Sequence, residues 1–211
     1  MQSNTAVMTA HTLAEAAWPV RESSKWLRAA VLVVAGALFL TLCAKIQVPL
    51  RPVPMTMQTF GVLVIAAAYG WPLGAGSVLL YLAAGFVGLP VFAGAAVPGP
   101  AYFMGPTGGF LIGFLVAAQV VGWLCERHRW DRSLVTTAVA MAVGSAVIYA
   151  IGVLWLYVVF AFVREAAGWD LMRAFNVAMK PFLVGDLLKL LLATALLPLA
   201  WKLVQGFRKD S

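Results

Sequence analysis

Charged side chains are scarce in this chain of 211 residues, where Asp, Glu, Lys and Arg together make up 11% of the sequence. Soluble globular domains carry about 25% charged residues, so the composition excludes an ordinary soluble domain. Hydrophobic residues account for 63% of the chain, and the mean hydropathy is +0.91. The apolar runs are long and unbroken, whereas a transmembrane β-barrel shows short alternating segments. The sequence therefore predicts an all-α, polytopic membrane protein.

Motifs for catalysis, nucleotide binding and metal binding are missing as well. No Gly-x-x-x-x-Gly-Lys-Ser/Thr loop occurs, so the chain cannot bind ATP in that way. There is no nucleophile elbow, no His-Glu-x-x-His and no close pair of carboxylates, so we expect neither an enzyme nor a metal or cofactor site. Cys43 and Cys125 form no Cys-x-x-Cys and should be inert. No basic stripe is interleaved with exposed aromatics, so nucleic-acid binding is not expected.

Six apolar segments follow one another along the chain, and we predict a bundle of six transmembrane helices. The segments are approximately Trp26–Ile46, Met57–Tyr69, Gly74–Leu89, Gly108–Cys125, Leu134–Phe162 and Pro181–Val204. The turn Gly70–Leu73 is all that separates the second from the third, so these two should form an antiparallel hairpin. The chain then divides into an N-terminal arm (1–25), a membrane domain (26–204) and a tail (205–211). A cleaved signal peptide is the alternative interpretation of the first 44 residues.

The distribution of positive charge predicts the orientation, because cytoplasmic loops carry an excess of Lys and Arg. With the N-terminus inside, nine cations lie on the cytoplasmic side, namely Arg21, Lys25, Arg28, Arg127, Arg129, Arg132, Lys202, Arg208 and Lys209. Five lie on the outer side, namely Lys45, Arg51, Arg164, Arg173 and Lys180. Both termini are therefore predicted to be cytoplasmic, in a multi-pass protein of the inner cell membrane.

Asp186 and Lys189 are two ionisable residues inside the last apolar segment. Even lenient scales assign a few kcal/mol to one such residue in a bilayer. At a spacing of three residues the two lie on one helical face and can neutralise each other. They form either a polar patch that receives a polar or charged ligand, or a pair that only holds the helix against its neighbours.

The first predicted outer loop, Ile46–Thr59, is stiffened by three prolines. Arg51 is held between them, and Thr56 and Gln58 bring hydrogen-bonding side chains to the start of the next helix. These side chains are candidates for contacts with a ligand. The alternative is an ordinary surface turn with capping residues.

A second predicted outer loop, Pro90–Gly109, is long, uncharged and apolar. A solvated loop is normally polar, so we expect this one to fold back over the helices as a lid. Gly105, Gly108 and Gly109 free the backbone at the start of the fourth helix. Amides at a helix N-terminus favour an anionic group such as a carboxylate.

Three sequence motifs occur in a fixed order: Val53–Thr59 (VPMTMQT), Gly105–Leu111 (GPTGGFL) and Pro181–Lys189 (PFLVGDLLK). Together they resemble the BioY family, the biotin-binding S component of energy-coupling factor transporters. The resemblance runs from about Trp26 to Val204 and implies six helices with cytoplasmic termini. It also implies biotin capture from the outer side, beneath the loop between the third and fourth helices. The expected partners are a transmembrane coupling subunit and ATPase subunits on other chains, besides the surrounding lipid.

The resemblance also implies a binding mode for biotin. The acidic and basic residues on the family's sixth helix correspond to Asp186 and Lys189, which would accept from and donate to the ureido ring. Arg51, or the amides around Thr107–Gly109, would meet the carboxylate. Apolar walls for the thiophane ring are expected from Phe92, Tyr102, Phe103 and Phe110.

Two other functions fit the sequence less well. An S component for a cationic vitamin would favour more carboxylates and fewer cations than Asp186, Lys189 and Arg51 provide. A small polytopic membrane enzyme would need a nucleophile, a base or metal-binding carboxylates near the interface, and the sequence offers no such set.

Overall fold

The computed structural model describes residues 10–19, 24–94 and 99–207. Within these ranges the α-helices are α1 (Leu13–Ala17), α2 (Lys25–Lys45), α3 (Gln58–Tyr69), α4 (Trp71–Phe86), α5 (Pro100–Phe103), α6 (Gly108–His128), α7 (Leu134–Val158), α8 (Leu171–Ala178) and α9 (Leu183–Phe207). A π-helical turn, Val159–Val163, extends α7, and a 3-10 turn, Lys180–Phe182, precedes α9. Arg21, Arg208, Lys209 and the lid residues 95–98 lie outside the described ranges.

The prediction of a mainly helical membrane protein is confirmed, although the helices differ in length. Four helical stretches are long and apolar enough to cross a membrane: Lys25–Lys45, Gly108–His128, Leu134–Val163 and Leu171–Gly206. The helices α3 and α4 are equally apolar but have only 12 and 16 residues. A span needs about 20 residues when the helix runs straight across the bilayer.

A single glycine joins α3 to α4, so the turn is tighter than the four-residue turn that the sequence predicts. Gly70 has φ +80°, a conformation that costs glycine little. The carboxylate of Glu126, on α6, accepts the backbone N–H of Trp71 at 3.1 Å and so caps α4 from a neighbouring helix. Pro72, in the first turn of α4, has no backbone N–H and therefore needs no acceptor.

The helix α6 forms the centre of the bundle, with α7 on one side and α3 and α4 on the other. In the apolar 18-residue stretch of α6, 61% of the residues are buried. The corresponding share is 28% in each of the other three candidate spans. Gly122 permits a close approach of α6 to the start of α4, because a Cβ atom there would lie 2.6 Å from the backbone N and Cα of Trp71.

A short hairpin leads from α2 into α3. Strand β1 (Gln47–Val48) pairs antiparallel with β2 (Met55–Thr56), in the register Gln47 to Thr56 and Val48 to Met55. The intervening loop carries Arg51 and the three prolines. The hairpin, α5 and the first turns of α6 and α9 share one end of the bundle, which we call the site end.

The opposite end carries Lys25, Arg28, Arg127, Arg129 and Arg132, and we call it the basic end. Here α1 packs on the last turns of α9, where Ala10 and Ala16 are buried with Trp201. The Arg132 guanidinium donates to the carbonyl of Ala10 at 2.6 Å. Both ends of the described chain therefore meet at the basic end.

Asp131 is fully buried at the basic end. The indole N–H of Trp201 donates to its Oδ2, while Oδ1 has no partner among the described residues. The guanidinium of Arg132 stacks over the Trp201 ring at 4.0 Å. Burial raises the pKa of the Asp131 carboxyl group to about 6, although the Trp201 hydrogen bond and Arg132 favour the ionised form.

Replacing Gly122 by Ala should destabilise the bundle by about 1–3 kcal/mol, because the added methyl group meets backbone that cannot yield. The measurement is thermal unfolding of the purified protein in detergent. Gly206→Ala is the matched control, since a Cβ atom there has no neighbour within 4 Å and alanine favours the helix. Equal melting temperatures for the two variants would contradict the close approach of α6 to α4.

Asp131 should make stability fall as the pH rises. Its folded pKa of about 6 lies above the ordinary 3.8, so its favourable contribution is complete below pH 3.8 and is lost as the pH passes 6. Asp131→Asn keeps an acceptor for Trp201 and stays neutral, so the variant should unfold at a higher temperature than the wild type at pH 7. Asp170→Asn is the control, because either residue caps α8. Melting curves from pH 4 to pH 7 with the same slope in wild type and Asp131→Asn would refute this account.

Candidate functional site

An ion pair lies in the first turns of α9, at the site end. The Lys189 ammonium donates to Oδ1 of Asp186 at 2.8 Å, and each side chain is 11% exposed. The hydroxyl of Tyr149, on α7, donates to the other carboxylate oxygen, Oδ2. Both carboxylate oxygens therefore have a donor, which a partly buried charge requires.

Lys189 and Tyr149 both face a small inner cavity of about 50 Å³. Asp186 is not in its wall and lies behind these two side chains. Much of the remaining wall is apolar, including Phe110 and Phe114 of α6 and Phe182 just before α9. The inner cavity is therefore an apolar chamber whose polar groups include an ammonium and a phenol that share one carboxylate.

The polar side chains at the start of α3 form a second part of this wall. Thr56 and Gln58 both line the inner cavity. The Gln58 amide donates to the hydroxyl of Tyr81 at 2.7 Å, and its carbonyl accepts from the Thr56 hydroxyl at 3.1 Å. Gln58 and Tyr81 are almost completely buried, so this chain of hydrogen bonds fixes their orientation.

An outer cavity of about 590 Å³ lies between the hairpin loop and the lid. Arg51, Gly105 and Thr107 are in its wall. The two cavities share four wall residues, namely Pro54, Ala93, Tyr102 and Thr107. These four form a partition between a chamber that holds an ammonium group and a chamber that holds a guanidinium group.

The described part of the lid packs on the helices through aromatic rings. Phe92 is buried and stacks on Tyr102, with ring centroids 4.6 Å apart and edge contacts to Tyr81 and Phe103. Lys45 donates to the carbonyls of Pro90 and Phe92 at 2.6 and 2.8 Å. The apolar character of this loop is explained by these contacts.

Tyr102 contributes a phenol to the partition. Burial raises the pKa of its phenol above the usual value, so the group keeps its proton. The hydroxyl lies 3.3 Å from the carbonyl of Ala93, which it donates to.

The glycines at the start of α6 serve close packing. A Cβ atom at Gly109 would lie 2.1 Å from Cβ of Trp155, and one at Gly108 would lie 1.8 Å from the carbonyl oxygen of Phe103. The Gly108 amide donates to the carbonyl of Gly105 at 3.1 Å, and the Trp155 indole donates to the same carbonyl at 2.9 Å. The Gly108 amide is therefore engaged within the protein.

The predicted site residues fall into three groups: those that line the inner cavity, those that line only the outer cavity, and those in neither wall. Six of them line the inner cavity, namely Thr56, Gln58, Tyr102, Thr107, Phe110 and Lys189. Arg51 and Gly105 line only the outer cavity. The remaining ones lie behind the walls, namely Asp186, Phe92, Phe103, Gly108 and Gly109.

Tyr149 and Phe182 are wall residues that the sequence analysis did not single out. Phe182 lies inside the third motif, which was a usable signal. Tyr149 carries no such signal, because Tyr157 occurs on the same apolar helix and does not reach the cavity.

The fold is also found in a solved protein. A crystal structure described as the S-component for biotin from an ECF-type ABC transporter superposes with a TM-score of 0.72. The match covers 91% of this chain and 96% of that chain, at 22% sequence identity. At this identity the likeness concerns the fold.

Sequence relatives lie closer. A protein named biotin transporter BioY from Thermotoga maritima is 38% identical over 150 residues, which cover 71% of this chain and 82% of the relative. The biotin transporter BioY of Rhodobacter capsulatus is 41% identical over 65% of this chain and 73% of its own length. A probable biotin transporter BioY from Pyrococcus horikoshii is 37% identical over 72% of this chain and 85% of its own length.

The sequence profile described as "BioY family" matches residues 8–206, which is nearly the whole chain. This range includes all three motifs that carry the resemblance. The chain therefore belongs to the BioY family, as those motifs predicted.

Proposed function

We propose that this chain is the substrate-binding subunit of a biotin uptake transporter. It captures biotin at the site end of the bundle, beneath the lid. Separate transmembrane and ATPase subunits then complete transport, because the chain has no nucleotide-binding loop of its own. The observation that carries the proposal is the Asp186–Lys189 pair beside a cavity, in a chain of the BioY family.

The chemistry of biotin suits the two cavities. The ureido ring has N–H donors and a carbonyl acceptor, which match the polar corner made by Lys189, Asp186 and Tyr149. The carboxylate at the end of the valerate chain then extends toward Arg51 in the outer cavity. Arg51 is exposed and makes no hydrogen bond or ion pair with a described residue, so its guanidinium is available to an anion.

The ligand has to span both cavities. Pockets for small molecules usually enclose about 300–1,000 Å³, whereas the inner cavity has about 50 Å³. The partition is made of loop and lid residues rather than helix interiors, so we expect Tyr102 and Ala93 to move when the bicyclic ring enters.

The orientation in the membrane follows from the charges at the two ends. Six described Lys and Arg side chains lie at the basic end, against five at the site end outside the last helix, and the sequence as a whole divides them nine to five. This excess favours the cytoplasmic side for the basic end. Both termini then lie in the cytoplasm and the lid faces outward. Exposed apolar side chains such as Leu38, Leu79 and Leu191 contact lipid.

Two alternatives predict different results. An S component for another vitamin would bind that vitamin in a panel and leave biotin unbound. A small membrane enzyme would convert the ligand into a product. A metal-dependent enzyme would need a cluster of metal ligands, and among the residues the structure describes no group of three His, Cys, Asp or Glu side chains is arranged to hold a metal ion.

Removing either partner of the ion pair should weaken biotin binding. Lys189→Ala or Asp186→Ala leaves the other charge without its partner and should cost at least about 1–3 kcal/mol. The measurement is equilibrium binding to purified protein, with a panel of vitamins. Lys202→Ala is the matched control, because Lys202 is an exposed lysine of the same helix at the basic end. Unchanged biotin affinity in folded Lys189→Ala and Asp186→Ala would reject the site assignment.

Arg51 should contribute only to ligands that carry a carboxylate. Arg51→Ala should therefore weaken biotin but leave biotinamide, whose end group is neutral, almost unaffected. An exposed ion pair contributes up to about 1 kcal/mol, so the loss should be up to about five-fold. Lys180→Ala, at another exposed cation of the site end, serves as the control. An equal loss for biotin and biotinamide would show that Arg51 does not bind the carboxylate.

A further inference from the structure

The hydroxyl of Tyr149 lies between the Asp186 carboxylate and the inner cavity. Tyr149 lines the cavity and donates to Oδ2 of Asp186, whereas Asp186 itself is not in the wall. Lys189 has the same relation to the other oxygen, since it lines the cavity and donates to Oδ1 at 2.8 Å. A ligand in the cavity therefore meets the phenol and the ammonium before it meets the carboxylate.

The direction of the hydrogen bonds determines what each group offers to a ligand. A carboxylate paired with an ammonium group is ionised and can only accept. The proton in the Tyr149–Asp186 contact thus belongs to the phenol and points away from the cavity. The phenol oxygen is left with lone pairs alone, so it acts as an acceptor toward the cavity. Lys189 uses one N–H on Asp186 and keeps two as donors.

We propose that Tyr149 determines ligand specificity by accepting a ligand N–H, next to Lys189 as the donor to a carbonyl. Asp186 is then a positioning residue that orients both groups from behind. An acceptor and a donor side by side match the N–H and C=O of a cyclic urea. The inference rests on the proposed function and specifies which protein atoms contact the ureido ring.

The position of Tyr149 is determined by packing on the neighbouring helix. A Cβ atom at Gly113 of α6 would lie 3.1 Å from Cα of Ile148, so the backbones meet one residue before Tyr149. The ring of Phe110 meets the Tyr149 ring edge-on at 6.2 Å. A Cβ atom at Gly152 would lie 2.4 Å from the same Phe110 ring. These contacts pack the Tyr149 ring against Phe110, and they fix the backbone of α7 next to it.

The test combines a protein variant with altered ligands. Tyr149→Phe keeps the ring and removes the acceptor, so biotin should bind roughly five-fold to a hundred-fold more weakly. Two cyclic carbamate analogues, each with one ureido N–H replaced by a ring oxygen, remove one donor at a time. The wild type should reject one of them more strongly than the other, and Tyr149→Phe should lose that difference. Tyr157→Phe, on the same helix but away from the cavity, should behave as the wild type.

The role of Asp186 is tested by combining variants. If Asp186 acts through Tyr149, the affinity lost in Tyr149→Phe/Asp186→Asn should be smaller than the product of the two single fold-changes. Strict additivity would indicate that Asp186 contacts the ligand independently and would overturn its positioning role.

Failure of the inference can be told apart from failure of the proposed function. If the wild type does not bind biotin, the proposed function is wrong. If it binds biotin and Tyr149→Phe binds both biotin and the carbamates as the wild type does, Tyr149 is not the acceptor. The wild type alone supplies a second test, since equal tolerance of both carbamate analogues overturns the inference even where the variant does not fold.

Discussion

The ion pair between Asp186 and Lys189 in α9 is stable only if neighbouring helices supply the remaining hydrogen bonds of the two charged groups. Two charges in an apolar helix lose much of their hydration, and their mutual attraction compensates only when the remaining hydrogen-bonding groups are satisfied. The second carboxylate oxygen finds its donor on another helix, in Tyr149. The Tyr149–Asp186 hydrogen bond links α7 to α9 at the site end. It also places this salt bridge, the only one among residues 10–19, 24–94 and 99–207, beside the inner cavity.

Close packing around the pair depends on glycines. Gly185 allows Met55 of the hairpin to approach α9, where an added Cβ atom would lie 2.7 Å from the methionine sulfur. This contact brings Thr56 and Lys189 into the same wall. Gly109 admits Trp155 in the same manner at the start of α6. The elements that carry the wall residues therefore approach one another where side chains such as Met55 and Trp155 fill the space above a glycine.

Much of the helical plan could be read from hydropathy, because a bilayer requires long apolar segments with internal hydrogen bonds. The start of α6 at Gly108 and the position of Asp186 and Lys189 near the beginning of α9 followed from the chain alone. The hairpin of β1 and β2 did not, since two residue pairs in a proline-rich stretch carry no strand periodicity. The single-residue turn at Gly70 also depends on Glu126, which is distant in sequence.

The amino-acid sequence by itself determined the family, the membrane setting and the presence of a charged pair in an apolar helix. Each depends on local composition or on a short motif, so no neighbour has to be known. The identity of the groups that meet the cavity required the folded chain. The rotation and depth of each helix are set by packing against the others, and they bring Tyr149 and Lys189 to the wall while Asp186 lies behind them. No pattern along α7 distinguishes Tyr149 from Tyr157, because the difference between them lies in what α6 and α9 place opposite each one.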